Sequence, residues 1–386
     1  MTRVLLISPY SPLEQHDHAA ADYMAPLIRE LGKLVELHVY APTSSAVPTS
    51  VVDGIVYHPA APVRTNMAAA GGLYPYHFRS AWARTSTRDV LRVAVEIQPD
   101  IVHMEYLQPA EAALAIRDIP VTVTLHDLVT RAFRQSIRTS RYTARGVFDR
   151  VELRRCRHWE TATIRHASHV FTLSQSDGKD ISDLVRSWSS PRIGIELDVP
   201  AWSRTDRTTP VLLFPGAMWR TANALAAEYL THKVLPLVRR RHPAATLRIV
   251  GARPRPSVQE LADIPGVQVV GAVDDYHGEF ARADVVLTPS LVEAGVLLKA
   301  LHSMAAGAPT VLNSPAARGF NGLDDGREAL IADDPQAMAQ AISRVLDEPD
   351  FACELGAAGR RFVEMHHSWA SYAQEYARVF SALSSP

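Results

Sequence analysis

The sequence predicts an α/β protein built from two doubly wound parallel sheets. Three observations predict it: short unbroken runs of β-branched residues and leucine, helical patterns alternating with those runs, and a polar interruption near the middle after which the alternation restarts. A parallel strand is covered on both faces, so it reads as a continuous apolar run rather than as an alternation.

In the first half such runs cover 4–8, 34–40, 101–104, 121–125 and 169–173, with helical patterns over 21–31 and 85–96 between them. From Arg192 to Thr209 the pattern breaks into prolines and polar residues, which reads as a linker. Strands are then expected over 211–214, 246–250, 267–270, 285–288 and 310–313, with helices over 223–240 and 299–306. The predicted organisation is a domain over 1–195, a linker over 196–209, a second domain over 210–366 and a closing helix over 367–386. Trp369, Tyr372, Tyr376, Val379 and Phe380 give that helix one apolar face, suited to packing across the cleft side of the N-terminal domain. Two α/β domains joined by a linker are expected to bind ligands in a cleft at the carboxyl ends of their strands.

A chain of 386 residues suits two or three domains. With 47% hydrophobic and 21% charged residues it has the composition of a globular protein, and a net charge of −1 excludes the global basic field of a nucleic-acid binder. The apolar run at the N-terminus is too short for a signal peptide or a membrane span. Cys156 and Cys353 lie far apart and form no metal or redox motif, so a reducing cytoplasm is expected.

The stretch from Thr288 to Leu312 carries the most chemistry. A strand end runs into a turn and then a helix, an arrangement whose free backbone N–H groups suit a phosphate, and Lys299 adds a full positive charge on the first turn. Lysine is rare in this chain: only Lys33, Lys179, Lys233 and Lys299 occur.

The order of motifs resembles the nucleotide-sugar glycosyltransferases of the GT-B fold, specifically glycosyltransferase family four. The matching segments are Phe214 to Asn223, Val234 to Pro243, Leu247 to Pro254, Pro265 to Asp275, Ala283 to Ser290, Gly295 to Gly307 and Asp325 to Glu328, with Thr124 to Asp127 and Phe171 to Asp177 in the first half. The resemblance implies an N-terminal acceptor domain and a C-terminal domain for a nucleoside diphosphate sugar. It also implies transfer to a hydroxyl acceptor with retention of anomeric configuration, and no metal.

On the same resemblance Gly295 to Lys299 matches a Gly-x-x-x-Lys pattern, with Val296 and Leu297 beside the donor, and Lys299 stabilises the departing diphosphate. Gly216 allows close backbone approach to that diphosphate, and Arg220 supplies a second cation. His126 ends a strand and faces the donor sugar, with Asp127 orienting its loop on the acceptor side. The family places two glutamates two turns apart. Here Glu293 stands one residue before the first position and His302 occupies the second, where ribose is gripped. A neutral imidazole offers one acceptor nitrogen against a carboxylate's several, so ribose is held differently or His302 meets phosphate as a cation. The usual Gly-Gly loop is replaced by Gln15 to Ala21, which contains His18; Gly71 and Gly72 suggest a flexible acceptor loop.

No nucleophile elbow, Walker loop or Gly-x-Gly-x-x-Gly is present, and no metal site or cofactor is expected. The arginines from Arg131 to Arg157 are open to an anionic acceptor, a phospholipid surface or a partner protein. The plainer reading, a solvated helix face paired with Asp149, Glu152 and Glu160, is preferred. A non-catalytic nucleotide-sugar-binding protein and a sugar-nucleotide epimerase are the alternatives to transfer. The sequence leaves the sugar, the acceptor and the oligomeric state open.

Overall fold

The computed structural model describes residues 1–12, 20–42, 49–60, 73–139, 144–203, 208–291 and 297–384. The chain divides into two compact units, Met1–Ile193 with Trp369–Pro386, and Gly194–Ser368.

In the first unit, β1 (Arg3–Ile7), β2 (Glu36–Pro42), β3 (Ser50–Val52), β4 (Ile55–Ala60), β5 (Ile101–Glu105), β6 (Val121–Leu125), β7 (His169–Thr172) and β8 (Trp188–Ser189) form one sheet, in the order β3-β4-β2-β1-β5-β6-β7-β8. All pairings are parallel except β3 with β4. The winding direction reverses between β1 and β5, the point where an open sheet leaves a crevice at its carboxyl ends. The β3–β4 hairpin is absent from the sequence expectations. Its signal is Asp53-Gly54, at φ 51° and 79°, the left-handed pair that a two-residue hairpin turn requires.

Helices α1 (Ala20–Gly32), α2 (Arg84–Ile97), α3 (Val129–Thr139) and α4 (Ala144–His166) belong to this unit. On α4 the structure bears out the expected ion pairing in part. Asp149, Glu152 and Glu160 are buried. Glu152 accepts from the His77 backbone N–H at 3.2 Å and from Arg155 at 3.0 Å, and Glu160 accepts from the Thr130 hydroxyl at 2.6 Å. Glu152 and Glu160 thus also tie neighbouring elements onto α4.

In the second unit, β9 (Val211–Pro215), β10 (Thr246–Val250), β11 (Val267–Gly271), β12 (Val285–Leu287), β13 (Thr310–Leu312) and β14 (Leu330–Ile331) form an all-parallel sheet in the order β11-β10-β9-β12-β13-β14. Its helices include α5 (Thr221–Tyr229), α6 (Tyr276–Arg282), α7 (Leu298–Ala306), α8 (Pro335–Asp347) and α9 (Pro349–His366). The helix expected over 223–240 runs unbroken from Thr221 to Val238 and differs from a regular α-helix in a π turn over Leu230–Val234, between α5 and a last turn over Leu235–Val238. Pro236 explains the difference, because it has no N–H to donate and its ring crowds the preceding turn.

Residues 194–203 are anchored to the second unit: Trp202 donates its backbone N–H to Ala306 at 2.7 Å and its indole N–H to Ala283 at 2.6 Å. After α9 the chain returns to the first unit as α10 (Trp369–Ser384). Tyr372, Tyr376 and Phe380 are buried there, and Tyr376 stacks on Phe171 of β7 with centroids 4.0 Å apart.

Candidate functional site

The second unit gathers its chemistry at the switch point between β9 and β12. Gly216 follows β9 at φ 152°, and Gly251 follows the neighbouring β10 at φ 153°. A Cβ on Gly251 would lie 1.6 Å from the Gly216 carbonyl oxygen, so glycine there is a condition of the two strand ends meeting. Asn223, in the first turn of α5, ties the turn to α7: its amide donates to the Ala217 carbonyl at 3.0 Å, and its carbonyl accepts from Lys299 Nζ at 3.1 Å. Lys299 is half-buried and its ammonium lies 4.4 Å from the Phe214 ring centroid. Among the described residues no carboxylate pairs with it. Arg220, exposed at the start of α5, stands near enough for its charge to act on Lys299.

Burial first, and Arg220 second, bring the Lys299 pKa down to about 7. An amine held there without a counter-charge is poised for an anion. A bound diphosphate restores the proton, so the pKa in the complex exceeds that of the free protein. Affinity is then complete below about pH 7 and falls by up to about tenfold per pH unit above it, until the pKa of the complex is reached. Calorimetric titration with uridine diphosphate at neutral and alkaline pH checks this, and an affinity that stays flat or rises with pH contradicts it.

His302, on the next turn of α7, is bonded to His277 of α6, with Nδ1 3.1 Å from His277 Nε2. Tyr276 meets it edge-on with centroids 5.8 Å apart. Burial, then the neighbouring His277, lowers its pKa to about 3. In this arrangement His302 is a neutral imidazole engaged by a neighbour. Ser290 and Asn313 fasten the start of the preceding loop: Asn313 accepts from the Ser290 N–H and donates to the Ser290 carbonyl, both at 2.9 Å.

The first unit gathers its chemistry beside its own switch point. His126 follows β6, and Glu105 closes β5 next to it. The His126 Nε2–Glu105 Oε2 distance is 2.7 Å, and the imidazole stacks on Tyr106 with centroids 3.6 Å apart. Glu105 is fully buried, and its other oxygen bonds His103 at 3.0 Å. Burial pushes the Glu105 carboxyl upward, but the bonds from His103 and His126 outweigh it and the net shift is downward. Glu105 therefore remains a carboxylate. The Tyr23, Tyr372 and Tyr376 hydroxyls bond one another at 2.8 to 3.2 Å, Thr124 joins Tyr376 at 2.9 Å, and Tyr23 reaches Glu105 at 3.4 Å. Strand ends, α1 and α10 thus share one polar network.

Of the residues singled out in the sequence, Gly216, Arg220, Lys299, Leu297 and His302 lie in the second unit, the first three around one strand-helix junction. His126 and the exposed Asp127 lie in the first unit. His18, Glu293, Gly295, Val296, Gly71 and Gly72 lie outside the described residues. Glu105 and Asn223 were missed. Glu105 had a signal, a carboxylate closing an otherwise apolar strand; Asn223 ends the quoted Phe214 motif. Among the described residues no group of three or more His, Cys, Asp or Glu is placed to hold a metal ion.

Two family models match the chain: one described as Glycosyltransferase Family 4 over residues 20–188, and one described as Glycosyl transferases group 1 over residues 209–348. Glycogen synthase from Mycobacterium tuberculosis is 27% identical over 307 residues, which span 74% of this chain and 69% of that one. Sucrose-phosphate synthase from Thermosynechococcus elongatus superposes with a TM-score of 0.75 at 17% identity, covering 99% of both chains. HepE from Anabaena, in complex with UDP and glucose, gives 0.68 at 13% identity over 99% of this chain and 100% of that one. Trehalose 6-phosphate synthase from Burkholderia multivorans gives 0.68 at 12% identity over the full length of both. At such identities the superpositions establish the fold, which is GT-B, and the sequence models that together span most of the chain establish the rest: it is a group 1 glycosyltransferase of family four.

Proposed function

We propose that this glycosyltransferase moves a hexose-type unit from a nucleoside diphosphate sugar to a hydroxyl acceptor, with retention of configuration and without a metal. The observation that carries the reading is the Lys299 ammonium, which no carboxylate among the described residues pairs with, held by Asn223 beside the Gly216 turn at the switch point of the second sheet. In the reaction the bond from the anomeric carbon to the diphosphate oxygen breaks and its electrons pass to the diphosphate. Lys299, assisted by Arg220 and the first N–H groups of α7, stabilises that growing charge. The acceptor oxygen bonds to the anomeric carbon on the same face and its proton passes to the departing diphosphate, so no protein base is needed. His126, held by Glu105, is the candidate catalytic residue of the first unit. A cytoplasmic setting belongs to this reading, in keeping with Cys156 and Cys353 both being free thiols.

The test is diphosphate release from a panel of sugar nucleotides, with cell extract as acceptor source. UDP-glucose comes first, because HepE is a structural neighbour with UDP and glucose bound. Turnover is expected with at least one donor and is expected to persist in excess EDTA. Turnover abolished by EDTA and restored by a divalent cation overturns the metal-free part; absence of turnover with every donor overturns transfer. The neutral His302 bonded to His277 favours one competing reading, binding without transfer. It gains if UDP binds through Lys299 while no donor is consumed.

A further inference from the structure

Helix α4 sorts its charges by face. Asp149, Glu152 and Glu160 are buried, whereas Val147, Val151, Arg154, His158, Thr161 and Arg165 follow one another at spacings of three and four residues, a single stripe along the helix. Val147 is 59% and Val151 43% exposed, and Arg154, Arg157, His158 and Arg165 are exposed beyond them. An open groove runs along this second half, lined by Arg154, Arg157, His158, Thr161, Ala162 and Arg165. Arg154, Arg157 and Arg165 pair with no carboxylate among the described residues. The sequence leading into the helix, from Leu128 to Phe148, contains Arg131, Arg134, Arg138, Arg141 and Arg145 and no Asp or Glu.

We propose that this face of α4 is a docking surface for an anionic lipid bilayer. Val147 and Val151 enter the headgroup layer, and Arg154, Arg157 and Arg165 meet lipid phosphates.

Charge complementarity selects this occupant. The whole chain has a net charge of −1, so attraction to anions is local to this face. The exposed valines separate a bilayer from a nucleic acid: a polyanion in water gives two aliphatic side chains nothing, whereas a headgroup layer removes them from water while its phosphates meet the arginines. The stripe from Val147 to Arg165 is about 27 Å long, enough for a helix to lie in the plane of an interface. No helix among the described residues is long and apolar enough to cross a membrane, so the contact is peripheral.

The test is co-sedimentation of the full chain with vesicles of phosphatidylcholine, with and without phosphatidylglycerol. The protein is expected to sediment with the phosphatidylglycerol vesicles, to be released by salt, and to ignore phosphatidylcholine alone. Exchanging Arg154, Arg157 and Arg165 for Gln is expected to lower the partition coefficient about a hundredfold, and Val147→Asp with Val151→Asp about tenfold. All five positions are exposed, and an unchanged thermal melt shows that the variants remain folded. No binding to phosphatidylglycerol vesicles overturns the proposal, as does equal binding to neutral vesicles or undiminished binding by the arginine variant. Retention by heparin or DNA without vesicle binding also overturns it, in favour of a soluble polyanion. The readout is vesicle binding alone, so its failure leaves the glycosyl-transfer reading untouched.

Discussion

Lys299→Ala is expected to weaken binding of uridine diphosphate by about 10²- to 10³-fold and to lower kcat/KM for the sugar nucleotide by at least as much, because it removes a preorganised cation from developing charge. Stability is expected to behave differently. The half-buried ammonium has no carboxylate partner among the described residues and costs desolvation in the free protein, so the alanine variant should melt at the same temperature or slightly higher. The opposing signs separate a binding role from a structural one. Lys299→Arg should recover only part of the affinity, since a planar guanidinium does not fit the contacts with Asn223 and the Phe214 ring that seat the compact ammonium. Wild-type affinity in Lys299→Ala would remove Lys299 from the site and with it the main support for diphosphate binding there.

Glu105→Gln is expected to give the second-largest loss, a fall in kcat of about a hundredfold with little change in the KM for donor, through misplacement of His126. His126 Nε2 lies 2.7 Å from Glu105, which fixes the ring plane and leaves the lone pair of the neutral imidazole on Nδ1. An amide presents N–H to at least one of the two histidines and breaks that arrangement. The same exchange perturbs a buried network, and a stability cost of about 1–3 kcal/mol is expected alongside. A double-mutant cycle with His126→Ala tells positioning from simple destabilisation. If Glu105 acts through His126, the exchange has almost no further effect on kcat once the imidazole is gone. Full additivity in the double variant would refute the positioning role.

The positions of His126 and Gly216 were legible in the sequence because each follows an apolar strand, and that of Lys299 because it opens the helix after one; a parallel α/β sheet binds ligands at its strand ends. Glu105 was not. It precedes His126 by 21 residues, and nothing in the local pattern says that β5 and β6 lie side by side in register, with Glu105 opposite Thr124. Asn223 is similar: its partner Lys299 is 76 residues away on another helix. The faces of α4 are a case of the other kind. Helical periodicity alone places Asp149, Glu152 and Glu160 opposite Arg154, His158 and Arg165, and the pairing suggested by proximity in sequence is met at Glu152 by Arg155.

By itself the sequence determined the class of the fold, the succession of strands and helices, the family and the rare lysine at a strand-helix junction. These rest on local periodicity and on motifs that lie within a few residues of one another. Only the tertiary structure decided that Lys299 sits against Phe214 and Asn223, that Glu105 is a buried carboxylate shared by two histidines, and that His302 is held by His277. Each of these depends on which strands become neighbours and which side chains lose water. Contacts between residues far apart in the chain set both, and a linear pattern carries no record of them.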